Sequence, residues 1–471
     1  MSPGSASRAP ALVAAVREFV ERDVLPAAPA IEHADRYPRE MVERMKRLGL
    51  FGALVPADYG GLGLDVTTYA RIIEELCRGF MSLAGVINSH TMAALIVLHH
   101  GTEEQRLRLL PRFASGQARG GLCLTEPHAG SDVQAIRTVA RRDGDRYLLS
   151  GSKMFVTNGR EGNTFALLAL TDPDAAPRHR GMSCFIVEKG APGLEVVKSI
   201  AKLGYKGVDT AELVFDGFPC PAANLVGGVE GRGFKHVMAG LETGRINIAA
   251  RAVGVAQAGL DEAVRAARGL PEPPAALADV ATRVESARLI TYWAAGMKDR
   301  GDRCDLEAGM AKLHASETAQ EVAVEAMRIE GVRAQLASGL VERLYRDAPL
   351  MIIGEGTNEI QRLIICRNLL ERYGERAGAL TSREDLAEEQ KQVVLAVRQA
   401  VEKDVVPAAH DHDAGRRDPA TLVAQLAELG IFGALADPEQ GGLGLSMATT
   451  TLIVEEVARG SATLGAWLAA Q

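Results

Sequence analysis

The chain has 471 residues, of which 47% are hydrophobic and 24% charged, ordinary globular values that call for two to four domains rather than one. A net charge of −7 at pH 7, with acids and bases interspersed, leaves no basic stripe and argues against nucleic acid or an anionic membrane surface as partner. Aromatic residues at 4%, with abundant Ala, Leu, Arg and Glu, favour helices over a β-sandwich. The opening MSPGSASRAPALVAAV lacks a basic start followed by an apolar core, and no later segment is expected to reach the uncharged apolar length that spans a bilayer. Six scattered cysteines without a CxxC pair (Cys77, Cys123, Cys184, Cys220, Cys304, Cys366) read as reduced core thiols. A soluble, cytoplasmic protein is expected.

In chain order, ALVAAVREFVERDVLPAA from Ala11 and PREMVERMKRLGL from Pro38 repeat apolar positions at three and four, so residues 1–119 are expected to form a helical domain. The glycines of VPADYGGLGL have no P-loop lysine after them and mark a turn. From Gly120 the texture changes. GGLCLTEP, RYLLSGSKMFVTNG, NTFALLALTD, SCFIVEKG, LEVVKSI and AELVFDGFPCP are short apolar runs broken by Gly, Asp, Asn and Pro, which predicts a β domain over 120–232. Helical periodicity returns from Phe234 and, after a break at LPEPP, continues to about Tyr373, giving a helical domain over 233–378.

A repeat covers residues 383–471. With a shift of 381 positions and no gap, AVREFVERDVLPAA from Ala15 matches AVRQAVEKDVVPAA from Ala396, LGLFGAL matches LGIFGAL, and YGGLGL matches QGGLGL. The last segment therefore reads as a partial second copy of the N-terminal helical lobe. His410, Asp411 and His412 within it are adjacent in sequence, which puts the two imidazoles on different faces; a solvated loop is expected there and no metal site.

The stretch MIIGEGTNEIQR sets one carboxylate, Glu355, between two glycines just after an apolar run. Together with LCLTEPHAGSD, GSKMFVTNG and KLGYKGVDTAELVF, in that order along the chain, it resembles the acyl-CoA dehydrogenase family, flavoproteins that desaturate acyl thioesters. The likeness runs from about Ala11 to Arg376 and then begins again. It implies an α+β, mainly α fold: an N-terminal helical domain, a central β domain and a C-terminal four-helix bundle, with FAD between the last two and shared across a subunit interface of a dimer or tetramer. It implies that Glu355 takes the α proton while the β hydrogen leaves as hydride to flavin N5, since LETGR carries Gly244 at the family's other location for the base. Arg245 would lie behind that glutamate or serve as a helix-packing ion pair. For the flavin, Leu124 and Thr125 would contact the isoalloxazine ring, Gly130 and Ser131 the pyrophosphate and thioester arm, Phe155 the flavin face and Thr157 its N5, with Thr357 and Glu359 near the cofactor.

Two departures stand out. The Arg-x-x-Phe-Gly segment that relatives place after the first bundle helix is missing from AVRAARGLPEPPAALADVATRVESARL, and the Gly-Gly-x-Gly turn that receives the partner's FAD reads IEGVRA, with Glu330 and Arg333 at glycine positions. Side chains there would obstruct a close backbone approach to phosphate. The electron acceptor implied is an electron-transfer flavoprotein or oxygen. The alternatives are a flavin oxidase or monooxygenase on the same fold, which would need no α-proton base, and a non-catalytic scaffold.

Overall fold

The computed structural model describes residues 3–337, 339–373 and 386–470. The chain divides into two compact units, Met1–Glu371 and Arg372–Gln471.

The first unit begins with helices α1 (Pro3–Phe19), α2 (Leu25–His33), α3 (Arg39–Arg47), α4 (Val66–Gly79), α5 (Met81–His100) and α6 (Glu103–Ala114). A π-helical turn, Val20–Val24, joins α1 to α2. It lies against Gly79, where a Cβ would come within 2.6 Å of Val20 Cγ1, so glycine is what permits the close approach. Asp65 caps α4 by accepting from the Thr68 amide at 2.6 Å, and Thr102 with Gln105 forms a reciprocal capping box on α6.

Helix α5 corrects an expectation from the sequence. By length and composition it could cross a membrane, with a mean hydropathy of 1.6, but 89% of that stretch is buried inside the protein. It is apolar all round because it is a core helix, packed on β1, α6 and α7.

Strands β1 (Gly120–Cys123), β2 (Val139–Asp143), β3 (Arg146–Thr157), β4 (Thr164–Leu170), β5 (Met182–Glu188), β6 (Leu194–Ser199) and β7 (Thr210–Pro221) form one sheet in the order β1-β4-β2-β3-β7-β6, with β5 also paired to β4. All seven residues of β4 are buried, which is why TFALLAL is continuously apolar rather than alternating. The antiparallel pairing of β3 with β7 slips between Lys153 and Val156. Within that irregularity Phe155 adopts φ +56° and is pushed out to 59% exposure.

The chain then returns to helix: α7 (Gly233–Ala267), α8 (Ala276–Arg300), α9 (Asp305–Glu330), α10 (Leu340–Asp347), α11 (Pro349–Ile353) and α12 (Asn358–Tyr373). Helices α7, α8 and α9 pack on one another, and Gly309 of α9 faces Ile365 of α12. Gly254 lets α7 approach the backbone of α4, where a Cβ would sit 2.3 Å from Glu74 O. At the IEGVRA segment α9 ends at Glu330, Gly331 turns at φ +68°, and Val332 stands 83% exposed.

The second unit holds α13 (Glu388–Ala400), a π-helical turn Val401–Val405, α14 (Val406–Asp413), α15 (Ala420–Glu428), α16 (Met447–Gly460) and α17 (Ala462–Ala470) around a core that includes Val397, Val401, Leu426, Ile453 and Val457. The construction of α1–α5 is used again. A Cβ added at Gly460 would come within 2.6 Å of Val401 Cγ1, and Arg398 pairs with buried Glu456 at 2.6 Å as Arg17 pairs with Glu75. His410, Asp411 and His412 lie on α14, a helix instead of the expected loop. Of the six cysteines five are buried, as core thiols should be, whereas Cys366 is exposed on α12.

Candidate active site

Helix α11 lasts five residues and ends at Ile353, and α12 begins at Asn358. Between them Glu355 takes φ +55° and Gly356 φ +85°. A left-handed conformation at a residue with a side chain costs about 1–3 kcal/mol and persists only where the surroundings over-determine it. Here Lys312 donates to the carbonyls of Ile352 at 3.0 Å and Gly356 at 2.9 Å, and Gln361 Nε2 reaches the carbonyls of Glu355 and Gly356 at 3.4 and 3.3 Å.

The carboxylate that this turn presents is enclosed. Its Oε1 accepts a very short hydrogen bond from Asn88 Nδ2 on α5, and its Oε2 is buried with no hydrogen-bond partner. A Cβ added at Gly244 of α7 would lie 2.2 Å from that Oε2 and 2.8 Å from Met92 Sδ, so the bare Cα of Gly244 makes the room the carboxylate occupies. Burial pushes the Glu355 pKa up to about 7, even though Arg251, the Asn88 hydrogen bond, Lys312 and Arg245 all favour the charged form. Such a group is poised to exchange a proton near neutrality.

A buried polar network runs through the neighbouring turns of α4, α5 and α7. Asn88 and Thr91 on α5, and Gly244, Asn247 and Arg251 on α7, recur at helical spacing. Tyr69 Oη donates to Thr91 Oγ1 at 3.2 Å and receives from Asn247 Nδ2 at 3.2 Å. Arg251 donates to Asn247 Oδ1 at 2.8 Å and to Tyr205 Oη at 3.3 Å. All five of these side chains are buried, and among the described residues Arg251 has no carboxylate within ion-pair distance. Arg245 also makes no ion pair among them. It is half-buried with its Nε orphaned.

The other half of the site is built on the sheet. Leu124 and Thr125, half-buried, follow β1, and the Thr125 carbonyl accepts from the Met154 amide at 2.8 Å. A buried ion pair fixes this loop. Lys153 Nζ lies 2.8 Å from Glu126 Oε1 and 3.1 Å from the Leu124 carbonyl, while Glu126 also accepts from the amides of Arg137 and Thr138 and from the Thr138 hydroxyl. Burial pushes the Glu126 pKa up, but Lys153 and those hydrogen bonds outweigh it and hold the carboxyl below its usual range. Gly130 and Ser131 are exposed on the same loop, and Gly130 has no neighbour closer than 4.0 Å to an added Cβ.

Helix α5 ties the two halves together. On one side Asn88 holds Glu355. On the other, Asn158 Nδ2 donates to the carbonyls of Val86 and Gly120 at 2.9 and 2.8 Å, and Gly121 packs between Ser89 and the Thr157 carbonyl. Thr125 thus lies beside Met154, the neighbour of Phe155, and Gly121 brings the Thr157 carbonyl near Ser89, the residue after Asn88. Thr357 is half-buried in the GEGT turn and accepts from the Ile360 amide at 3.4 Å; Glu359 is exposed, its carboxyl held low by its own amide and the Thr357 hydroxyl.

Three family descriptions match the chain: the acyl-CoA dehydrogenase N-terminal domain over residues 8–117 and again over 387–471, the middle domain over 121–218 and the C-terminal domain over 231–370. An acyl-CoA dehydrogenase of Bacillus subtilis is 44% identical over 366 residues, 75% of this chain and 96% of that protein. The chain belongs to the acyl-CoA dehydrogenase family. The short-chain specific acyl-CoA dehydrogenase of Bos taurus is 40% identical over 76% of this chain and 89% of its own. The butyryl-CoA dehydrogenase structure from Megasphaera elsdenii superposes with a TM-score of 0.74 at 33% identity, covering 77% of this chain and 98% of that one. This acyl-CoA dehydrogenase is accordingly an FAD-dependent oxidoreductase acting on the CH–CH group of acyl thioesters.

The residues fit that cofactor. An aromatic ring left 59% exposed at a strand irregularity, an open glycine turn at Gly130 and a carboxylate oxygen with no protein partner are features that a flat ring system, a pyrophosphate and a substrate would complete. Asn88, Glu126, Lys153 and Lys312 escaped the sequence reading. The signal available for the last three was a charged residue inside an otherwise apolar or motif-bearing run, which in a buried element demands a partner.

Proposed function

We propose that this acyl-CoA dehydrogenase desaturates a short-chain acyl thioester, with Glu355 as the base that removes the α proton. The observation that carries this reading is the buried, unpartnered Oε2 of Glu355 beside Gly244. A carboxylate with its basicity raised toward neutrality and one oxygen left open is what abstraction of a weakly acidic carbon-bound proton requires. Asn88 fixes the rotamer by holding the other oxygen, so the open oxygen faces the substrate.

FAD, when bound, supplies the two-electron acceptor for the β hydrogen. Leu124, Thr125, Phe155 and Thr157 would hold its ring system, Gly130 and Ser131 its pyrophosphate and the thioester arm, and Thr357 and Glu359 its neighbourhood on the α12 side. The Glu126–Lys153 pair keeps the first of these loops rigid. Water is kept from the base by Met92, Tyr69 and the packed faces of α5 and α7. The polar chain from Tyr69 to Arg251 and Tyr205 supports a short acyl group, because a long alkyl tail gains nothing against hydrogen-bonded polar walls; the names of several relatives point the same way.

An electron-transferring flavoprotein is favoured over oxygen as the acceptor, because an oxygen-using flavin enzyme on this fold would need no α-proton base and Glu355 is present. The exposed Leu363 and Leu370, seven residues apart on α12, together with Ile353, support burial of this face in a homo-oligomer. Reduced cysteines fit a cytoplasmic setting. The match of residues 387–471 is read as a duplicated N-terminal lobe.

The test is Glu355→Gln. The variant should remain yellow yet lose about 100-fold or more in flavin bleaching by butyryl thioester, the range expected for a removed general base. Full bleaching activity would reject the assignment.

A further inference from the structure

The ammonium group of Lys312 is the most deeply committed charge near the base. Lys312 lies on α9 with no exposed surface. Its three protons have three acceptors, none of them a carboxylate: the Ile352 carbonyl at 3.0 Å, the Gly356 carbonyl at 2.9 Å and Asn358 Oδ1 at 2.7 Å. Ile352 O belongs to the last turn of α11, where a helix leaves its carbonyls without internal partners. Gly356 O lies on the far side of Glu355, and Asn358 opens α12 and is itself held by Ser316 Oγ at 3.0 Å.

We propose that Lys312 is a positioning residue for this reaction: by tying the carbonyls on either side of Glu355, together with the first side chain of α12, it locks the left-handed backbone that aims the carboxylate. The inference rests on the reading of Glu355 as base. It follows from counting what opposes relaxation of the turn. A non-glycine residue at φ +55° drifts toward right-handed geometry unless its flanking carbonyls are fixed. Gln361 contributes two long hydrogen bonds at 3.4 and 3.3 Å, and Lys312 contributes the shorter ones from a charged donor, the stronger kind. The side-chain grip from Asn88 cannot substitute, because it fixes where the carboxylate ends and not where the backbone starts.

The groups facing the ammonium are Glu355 in the turn, Glu359 on α12, Arg245 on α7 and Glu317 on α9, besides the three acceptors. Burial pushes the Lys312 pKa down to about 8, with the carboxylates of Glu355, Glu359 and Glu317 opposing that shift. Loss of the proton therefore leaves one lone pair among three oxygen acceptors and loosens the turn on the alkaline side.

The experiment uses the full-length flavin-loaded enzyme and its Lys312→Met and Lys312→Gln variants, with butyryl thioester and an artificial electron acceptor across pH 6 to 10. Expected are full flavin content, a KM within about threefold of the parent, and a kcat reduced about 100-fold, the scale of a misplacement of roughly 1 Å in a reacting group. The parent should show an alkaline fall in kcat with a midpoint about 8 that both variants lack. A kcat within about threefold of the parent in Lys312→Met overturns the proposal. If neither variant folds, the parent profile decides, and a kcat flat to pH 10 overturns it. Undiminished activity of Glu355→Gln would instead sink the base assignment, whereas an inactive Glu355→Gln beside an active Lys312→Met sinks this inference alone.

Discussion

Gly244 and Glu355 compete for one volume. The Oε2 atom sits 2.2 Å from where a Cβ at 244 would be, so the absence of a side chain on α7 is a condition for a carboxylate arriving from the α11–α12 turn. Gly244→Ala should displace Glu355 and lower kcat about 100-fold while leaving flavin content unchanged; stopped-flow flavin reduction measures both. The raised pKa has a stability sign as well. Between the unfolded carboxyl value near 4.5 and the folded value of about 7, the folded chain holds the extra proton, so raising pH through that window removes stability, about 3 kcal/mol in total from this group. Glu355→Gln, which never ionises, should therefore melt higher than the parent at pH 8 and nearly level with it at pH 4.5. Differential scanning calorimetry at the two pH values checks this, and equal gains at both would contradict the burial argument.

At the scale of elements, the loop that carries Leu124 and Thr125 depends on a lysine inside a strand. Lys153 is fully buried against Glu126, and removing one member of such a pair leaves an uncompensated charge that costs about 3–5 kcal/mol. Lys153→Met should lower the denaturation midpoint accordingly and weaken flavin retention on gel filtration, with Glu126→Gln/Lys153→Met recovering part of the stability. Sequence patterns reached these elements unevenly. The alternation of helix and strand texture was readable because the amphipathic helices bury one side and the short apolar runs end at Gly, Asp, Asn or Pro, and GEG announced a tight turn bearing an acid. Helix α5 hid its role because a helix buried on all faces loses its periodicity. The left-handed Phe155 follows from a slip in the β3–β7 register, which no local pattern encodes. Asn88 was illegible for a plainer reason: its contact with Glu355 joins residues 267 positions apart.

For the whole molecule, every residue assigned to the base, its supports and the flavin contacts lies in the unit that ends at Glu371. The second unit has a core of its own and shares the π-turn and Arg–Glu pair of α1–α5, but contains none of the flavin motifs. Removing residues 386–471 should leave flavin content and kcat within about twofold of the parent, because the second unit has its own core and none of the flavin motifs. Loss of bound flavin on truncation would show that the second unit helps to build the site.

The most direct test of the central claim follows the α carbon itself. Butyryl thioester is incubated in deuterium oxide with anaerobic, flavin-loaded enzyme and with Glu355→Gln, and deuterium entry at the α position is recorded by proton NMR as pH is varied. Exchange should rise through a midpoint of about 7 in the parent and be absent in the variant. Equal exchange in both, or a parent profile that does not change between pH 5 and 9, would contradict that claim.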